Sequence, residues 1–224
     1  MALLVALLLL ALAWIAGVLL ATDLSVPALD ARRHRHVLAV FPHADDEVVA
    51  CGGTLHRLAA GGARVTLVLL TAGERGSPAG TPDPGLPAVR GLRERTAELA
   101  AFVERTIERV RPDLLITYDL AGLYGHPDHI ACAEVVTELR RTRFPDCALW
   151  YAALPPAARG VARLTGEPRV EDRRSVPTGR LFTGRGVVAR IRAWRVYRSQ
   201  RRSLGWVFPV WFSLGLFEHF EVVP

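Results

Sequence analysis

Lysine is absent from this 224-residue chain, so all of its basic side chains apart from histidine are arginine, a group that stays charged at any physiological pH. Cysteine is scarce. Cys51, Cys132 and Cys147 form no CxxC pair, which excludes a disulfide framework. Each lies among apolar or small residues and is expected to be a buried small hydrophobe in a reducing compartment. No G-x-S-x-G elbow occurs, which argues against a serine hydrolase. The first strand–helix turn lacks G-x-G-x-x-G, which argues against a dinucleotide-binding enzyme. There is no internal repeat and no common nucleic-acid-binding motif, so nucleic acid is not an expected partner.

Charge is also missing from one whole segment. Residues 2–21 carry none, and their length is about that needed to cross a bilayer as a helix. A cleavable signal peptide is the rival, but no Lys or Arg precedes the apolar run. At Leu19-Leu20-Ala21 the first position is also large where a small residue is wanted. A retained single-pass anchor is expected. Arg32, Arg33 and Arg35 follow it, which places the remainder of the chain on the cytoplasmic side. The expected organisation is an anchor over residues 1–21, a linker over 22–35 and one domain over 36–224. The formal net charge is +6 and is uneven. Residues 140–202 hold sixteen Arg and four acidic residues, a net +12. Such a stretch suits anionic lipid, a phosphate-bearing substrate or nucleic acid, or is simply a solvated surface.

Beyond the linker the pattern alternates strand and helix. Strands are expected at residues 37–41, 64–70, 114–118 and 148–154, and helices at 45–60, 88–110 and 127–141. The strand at 64–70 is continuous and β-branched enough to be buried on both faces. A Gly/Pro-rich loop is expected over 71–87. The fold class is α/β: a Rossmann-like parallel sheet with helices on both faces, preceded by one transmembrane helix. Residues 155–186 are expected to loop over the domain, 187–202 to form a basic helix, and 204–217 to be core or an interfacial contact.

Two motifs stand at carboxyl ends of expected strands, where ligands bind in such sheets. The first is Pro42-His43-Ala44-Asp45-Asp46-Glu47. His43 and Asp46 are spaced so that both side chains reach one point above the strand end, leaving Asp45 over. The second is Tyr124-Gly125-His126-Pro127-Asp128-His129. One of its histidines can complete a three-ligand site with an open position, and the other can act on substrate. Asp128 can orient a ring nitrogen or cap the helix. Helix N-termini favour acids and turns favour Asp and Pro in any protein, but both motifs falling at strand ends is more than capping explains. Three ligands with a spare carboxylate and a spare imidazole equip a metal-assisted hydrolase.

These residues resemble the LmbE-like, or PIG-L, family of zinc-dependent de-N-acetylases. Its first signature reads Pro-His-Pro-Asp-Asp-Glu, with Ala44 here in place of the second Pro; its second, His-Pro-Asp-His, is intact at His126 to His129. Further echoes are Cys51-Gly52-Gly53-Thr54, Thr71-Ala72-Gly73-Glu74, Arg95-Thr96-Ala97-Glu98, Tyr197-Arg198-Ser199-Gln200 and Glu218-His219-Phe220. The resemblance implies that His43, Asp46 and His129 bind Zn2+, or another divalent metal such as Fe2+. It implies Asp45 as general base. His126 would stabilise the oxyanion or protonate the leaving amine, with Asp128 orienting its ring, and Tyr124 would polarise the carbonyl. Family members remove acetyl from N-acetylglucosamine (GlcNAc) attached to phosphatidylinositol, inositol or malate. With the anchor and the Arg-rich stretch, a membrane-presented GlcNAc conjugate is the expected substrate. A soluble GlcNAc conjugate is the alternative, and a non-catalytic, membrane-anchored carbohydrate- or lipid-binding relative is the alternative of another class. The segment between Glu98 and Arg111 is shorter than is usual in the family, which would remove an edge strand and part of the pocket wall.

Overall fold

In the computed structural model, residues 1–71, 91–154, 172–198, 200 and 207–223 are described. Residues 72–87 of the expected loop, 88–90 of the expected helix, most of the Thr71-to-Glu74 echo, 155–171 of the expected loop over 155–186, residues 199, 201 and 202 of the expected basic helix and 204–206 of the aromatic segment lie outside them. The elements in chain order are α1 (Ala2–Leu20), β1 (His36–Phe41), α2 (Asp46–Ala60), β2 (Arg64–Leu69), α3 (Thr96–Val110), β3 (Leu114–Tyr118), α4 (Gly122–Gly125), α5 (Pro127–Thr142), β4 (Ala148–Ala153), β5 (Gly179–Phe182), α6 (Gly186–Trp194), α7 (Val207–Leu214) and β6 (Phe217–Val223).

The strands form one sheet in the order β2-β1-β3-β4-β6-β5. The four strands expected from the sequence, β1 to β4, pair in parallel. The sheet as a whole is mixed, because β6 runs antiparallel to both β4 and β5. This corrects the all-parallel expectation. β5 has only four residues, inside an Arg- and Gly-rich stretch, and β6 carries Glu218, His219 and Glu221. Neither shows the apolar run of a buried strand. β2 also departs from expectation: among the described residues it is an edge strand, paired only with β1, and it is at most half-buried.

Side chains alternate across the central strands, and helices cover both faces. Val37, Ala39 and Phe41 of β1 pack with Cys51 and Leu58 of α2 on one face. Leu38 and Val40 pack on the other with Leu99, Val103 and Ile107 of α3 and with Cys132, Val136 and Leu139 of α5. The buried residues of α3 recur at helical spacing, and the helix ends where Arg111 turns left-handed at φ 49°. Pro112 follows immediately. α3 leads straight to β3, so no strand lies between Glu98 and Arg111. A smaller apolar cluster, Val48, Trp194 and Phe212, joins α2 to α6 and α7.

The expected linker is not free. Leu29 N–H donates to Arg180 O at 2.8 Å, and Arg180 N–H to Pro27 O at 2.8 Å, so the segment pairs with the outer edge of β5. Asp23 N–H donates to His219 Nε2 at 3.0 Å. α1 is uniformly apolar and largely exposed, and Leu3–Leu20 is long and apolar enough to cross a membrane. Its C-terminal half rests on α7, so closely that a Cβ on Gly17 would lie 2.8 Å from Leu214 Cδ2.

Candidate metal centre

β1 ends at Phe41, and Pro42 and His43 carry the chain over the sheet edge into α2. The turn closes through Asp45, whose φ of 107° lies in the left-handed region that disfavours a side chain. Such a residue stores about 1–3 kcal/mol of strain and persists only where its surroundings hold it. Here Glu47 Oε2 accepts the Asp45 N–H at 3.1 Å. Glu47 is in turn held by a short hydrogen bond from the Tyr197 hydroxyl.

Asp46, in the first turn of α2, is buried and pinned. Its Oδ2 accepts the His43 N–H at 2.8 Å, and its Oδ1 accepts the Tyr118 hydroxyl at 2.9 Å. The same oxygens face two imidazoles: Oδ2 lies 3.2 Å from His43 Nδ1, and Oδ1 lies 3.3 Å from His129 Nε2. His129 is fully buried at the start of α5. Its Nδ1 meets Gly122 O at 3.1 Å, which fixes a proton there, and its ring stacks on Tyr118 with centroids 4.3 Å apart. That tautomer leaves Nε2 with a lone pair, and Nε2 is buried without a hydrogen bond. An orphaned imidazole nitrogen beside a buried carboxylate is what a metal ligand looks like without its ion. Zinc–ligand distances of 2.0–2.1 Å in a tetrahedron place neighbouring donors about 3.3 Å apart; each imidazole stands at about that distance from a different oxygen of Asp46, which makes His43, Asp46 and His129 candidate ligands.

His126 is close as well: donor nitrogens of His43, His126 and His129 lie within 4.8 Å of one another. Three imidazoles are therefore available, but His126 Nδ1 accepts the Asp128 N–H at 3.2 Å as the N-cap of α5. Asp46 is the other candidate for third ligand, with one carboxylate oxygen facing His43 and the other facing His129. The role expected for Asp128 is corrected. Its carboxylate does not orient His126; Oδ2 lies 3.3 Å from His43 Nε2, and Oδ1 accepts the Leu92 N–H at 2.8 Å. The helix geometry turns the side chain back across the site and leaves only its backbone to His126. Tyr124 is half-exposed, with its ring centroid 5.1 Å from that of His129.

The electrostatics favour a cation. Burial is the largest influence on His43 and would lower its pKa, yet Asp128 and Asp46 together raise it to about 9. Burial opposes ionisation of Asp46 too, but His43 and His129 hold it below the usual carboxylate range. Burial lowers His129 to about 4, so it is neutral and ready to ligate. Burial and the neighbouring Asp46 and Glu47 charges push Asp45 up to about 7, the range of a useful base. His126 is lowered, mainly by burial and by His43.

Sequence reasoning missed several of these parts. Tyr118 is the last residue of β3. Gly122, at φ +62°, presents the carbonyl that orients His129, and a Cβ there would lie 2.9 Å from the His129 Cβ. Leu123, at φ 64°, is pinned by Asp119 Oδ1, which accepts its N–H at 2.9 Å, and by Arg174, which donates to its carbonyl. Only the position of Tyr118 and Asp119 at a strand's carboxyl end hinted at them.

Comparison with known proteins points to one family. The family model described as GlcNAc-PI de-N-acetylase, PIG-L, matches residues 38–103. A 1D-myo-inositol 2-acetamido-2-deoxy-alpha-D-glucopyranoside deacetylase of Nakamurella multipartita is 34% identical, over 57% of this chain and 57% of that protein. One from Acidothermus cellulolyticus is 31% identical, over 64% of this chain and 69% of that protein. The chain spans about half the length of the first relatives it matches (57%, 49% and 49%). The N,N'-diacetylchitobiose deacetylase of Pyrococcus horikoshii has a similar fold, with TM-score 0.53 and 19% identity, covering 92% of this chain and 89% of that one.

Proposed function

Since the chain belongs to the PIG-L family of de-N-acetylases, we propose that it is a metal-dependent amide hydrolase removing acetyl from a soluble GlcNAc conjugate of the GlcNAc-inositol or GlcNAc-malate type. One observation carries the chemistry: the buried Asp46 carboxylate stands between His43 and His129, at 3.2 and 3.3 Å, with His129 Nε2 otherwise orphaned. His43, Asp46 and His129 would hold the ion, Zn2+ or another divalent metal. When bound, it supplies Lewis acidity toward the amide carbonyl and toward water.

The chain's own residues do the rest. Asp45 accepts the proton of the attacking water, as its raised pKa and its place beside Asp46 suit. His126 is half-buried, and its Nδ1 accepts from backbone, so its proton resides on Nε2. It donates there to the developing oxyanion or the leaving amine. Asp128 holds His43 rather than His126. Tyr124, at the rim of the site, supplies a hydroxyl to the carbonyl oxygen. Bond cleavage then yields acetate and the free amine.

The relatives favour the soluble conjugate over the membrane-presented one expected first, since their names specify GlcNAc-inositol and GlcNAc-malate deacetylases. One observation supports a second reading: α1 is exposed, apolar and of spanning length. In that reading it anchors the domain on the cytoplasmic face and the substrate is a glycolipid. Acetate release from GlcNAc-inositol, GlcNAc-malate and a lipid-linked GlcNAc conjugate in vesicles separates the two. Faster turnover of a soluble conjugate supports the first reading, and turnover of the lipid-linked one alone supports the second. Acetate from none of them rejects both.

A further inference from the structure

α2 is broken. Cys51 has φ −154° and ψ 22°, so the helix is interrupted one turn after Asp46. In an unbroken helix Gly52, Gly53 and Thr54 would donate to the carbonyls of Val48, Val49 and Ala50. A break buried in the molecule must find other partners for such groups.

Two side chains from the far end of the sequence provide them. Glu218, in β6, accepts from the freed amides: Gly53 N–H to Oε1 at 3.0 Å and Thr54 N–H to Oε2 at 2.7 Å. Arg190, in α6, donates to the freed carbonyls: Nε to Val48 O at 3.0 Å and Nη2 to Val49 O at 2.8 Å. The two then join, Arg190 Nη1 to Glu218 Oε1 at 3.1 Å, with both side chains almost wholly buried. The rung between Val49 O and Gly53 N is thus replaced by an ion pair set into the gap. Gly52 and Gly53 make the room: a Cβ on Gly53 would lie 2.9 Å from Glu218 Oε1, and one on Gly52 would lie 3.1 Å from Arg190 Cγ. The Arg190 guanidinium also sits over the Phe212 ring at 4.2 Å, which holds it from the other side.

The short piece of helix on the near side of the break carries Asp46 and Glu47 and is capped by the strained Asp45. A buried ion pair is weak support for stability by itself, and its best-attested use is to specify one arrangement. We propose that Arg190 and Glu218 are positioning residues of the metal centre: by splicing the break at Cys51 they hold the first turn of α2 where Asp45 and Asp46 meet His43 and His129. The proposal rests on the metal-site reading above, and it concerns no residue that touches metal or substrate.

The test uses Co2+ as probe, because its visible absorption reports ligand geometry without substrate. Glu218→Gln and Arg190→Lys are first checked for folding by circular dichroism. The folded variants are expected to bind Co2+ about 10- to 100-fold more weakly, as for other residues that orient metal ligands, with an altered spectrum. At saturating metal, kcat on the best conjugate falls while KM is unchanged. Folded variants with wild-type Co2+ affinity and spectrum overturn the proposal. If neither variant folds, the wild-type protein decides by hydrogen exchange. Loading with Co2+ is expected to slow the Gly53 and Thr54 amides about tenfold, since coupling between sites is reciprocal. Equal exchange with and without metal overturns the proposal. Failure of the deacetylase reading shows up separately, as wild-type protein that binds Co2+ and releases no acetate.

Discussion

His129 is held on three sides, by Gly122 O at Nδ1, by the Tyr118 ring against its face and by Asp46 at Nε2. Each contact removes a degree of freedom, so the lone pair of Nε2 has one direction. His129→Ala is expected to abolish binding of about one equivalent of metal, measured by elemental analysis of dialysed protein; a fully loaded variant refutes the ligand set. Tyr118→Phe keeps the stacked ring and deletes the hydroxyl that pins Asp46. It is expected to weaken metal affinity about 10-fold, read by competition with a chelating dye. Asp45→Asn should retain metal and lose about 10²- to 10⁴-fold in turnover, because the positioned base is gone. Wild-type turnover in Asp45→Asn would reduce Asp45 to a helix-start residue.

At the scale of elements, the site depends on how tightly α6 approaches the broken helix. A Cβ on Gly186 would lie 2.7 Å from Gly53 O, and neither backbone can give way cheaply. Gly186→Ala is expected to destabilise the protein by about 1–3 kcal/mol, as overpacking does, seen as a lower urea midpoint. An unchanged midpoint would show that α6 can retreat. The loop between β3 and α5 works differently. Leu123 sits at φ 64° and ψ −55°, and Asp119 and Arg174 clamp it from both sides. Strain there is tolerated because it aims the carbonyl of Gly122 at His129.

At the scale of the molecule, α1 adds almost nothing to the buried core, while the segment after it is bound to β5 and β6. Deleting residues 1–20 is therefore expected to leave a folded, metal-binding protein. Its melting temperature should lie within a few degrees of the full chain's, where about 1 kcal/mol corresponds to about 2–4 °C in a domain of this size. A collapse in stability would make α1 part of the domain rather than an appendage.

Much of this molecule is determined locally. The runs of β1 and β3 are apolar on both faces, so they belong inside a covered parallel sheet whatever surrounds them. The meeting of His43, Asp45 and Asp46 with His126 and His129 was legible because the two motifs follow the carboxyl ends of β1 and β3, which pair in parallel, and short range sets the spacing within each. β5, β6 and the Arg190–Glu218 splice were not legible. β5 is too short and too mixed to show a period, and Glu218, His219 and Arg190 are buried polar or charged groups, which become stable only when partners far along the chain satisfy them. Glu218 on its own is a surface residue by type, and only the gap in α2, some 165 positions away, gives it a reason to be inside. Asp128 is the same lesson in small: its sequence neighbour is His126, but the turn of α5 sends its carboxylate to His43. Periodicity and residue type determine elements and their chemistry, while the choice of partner for a buried charge is made by tertiary structure.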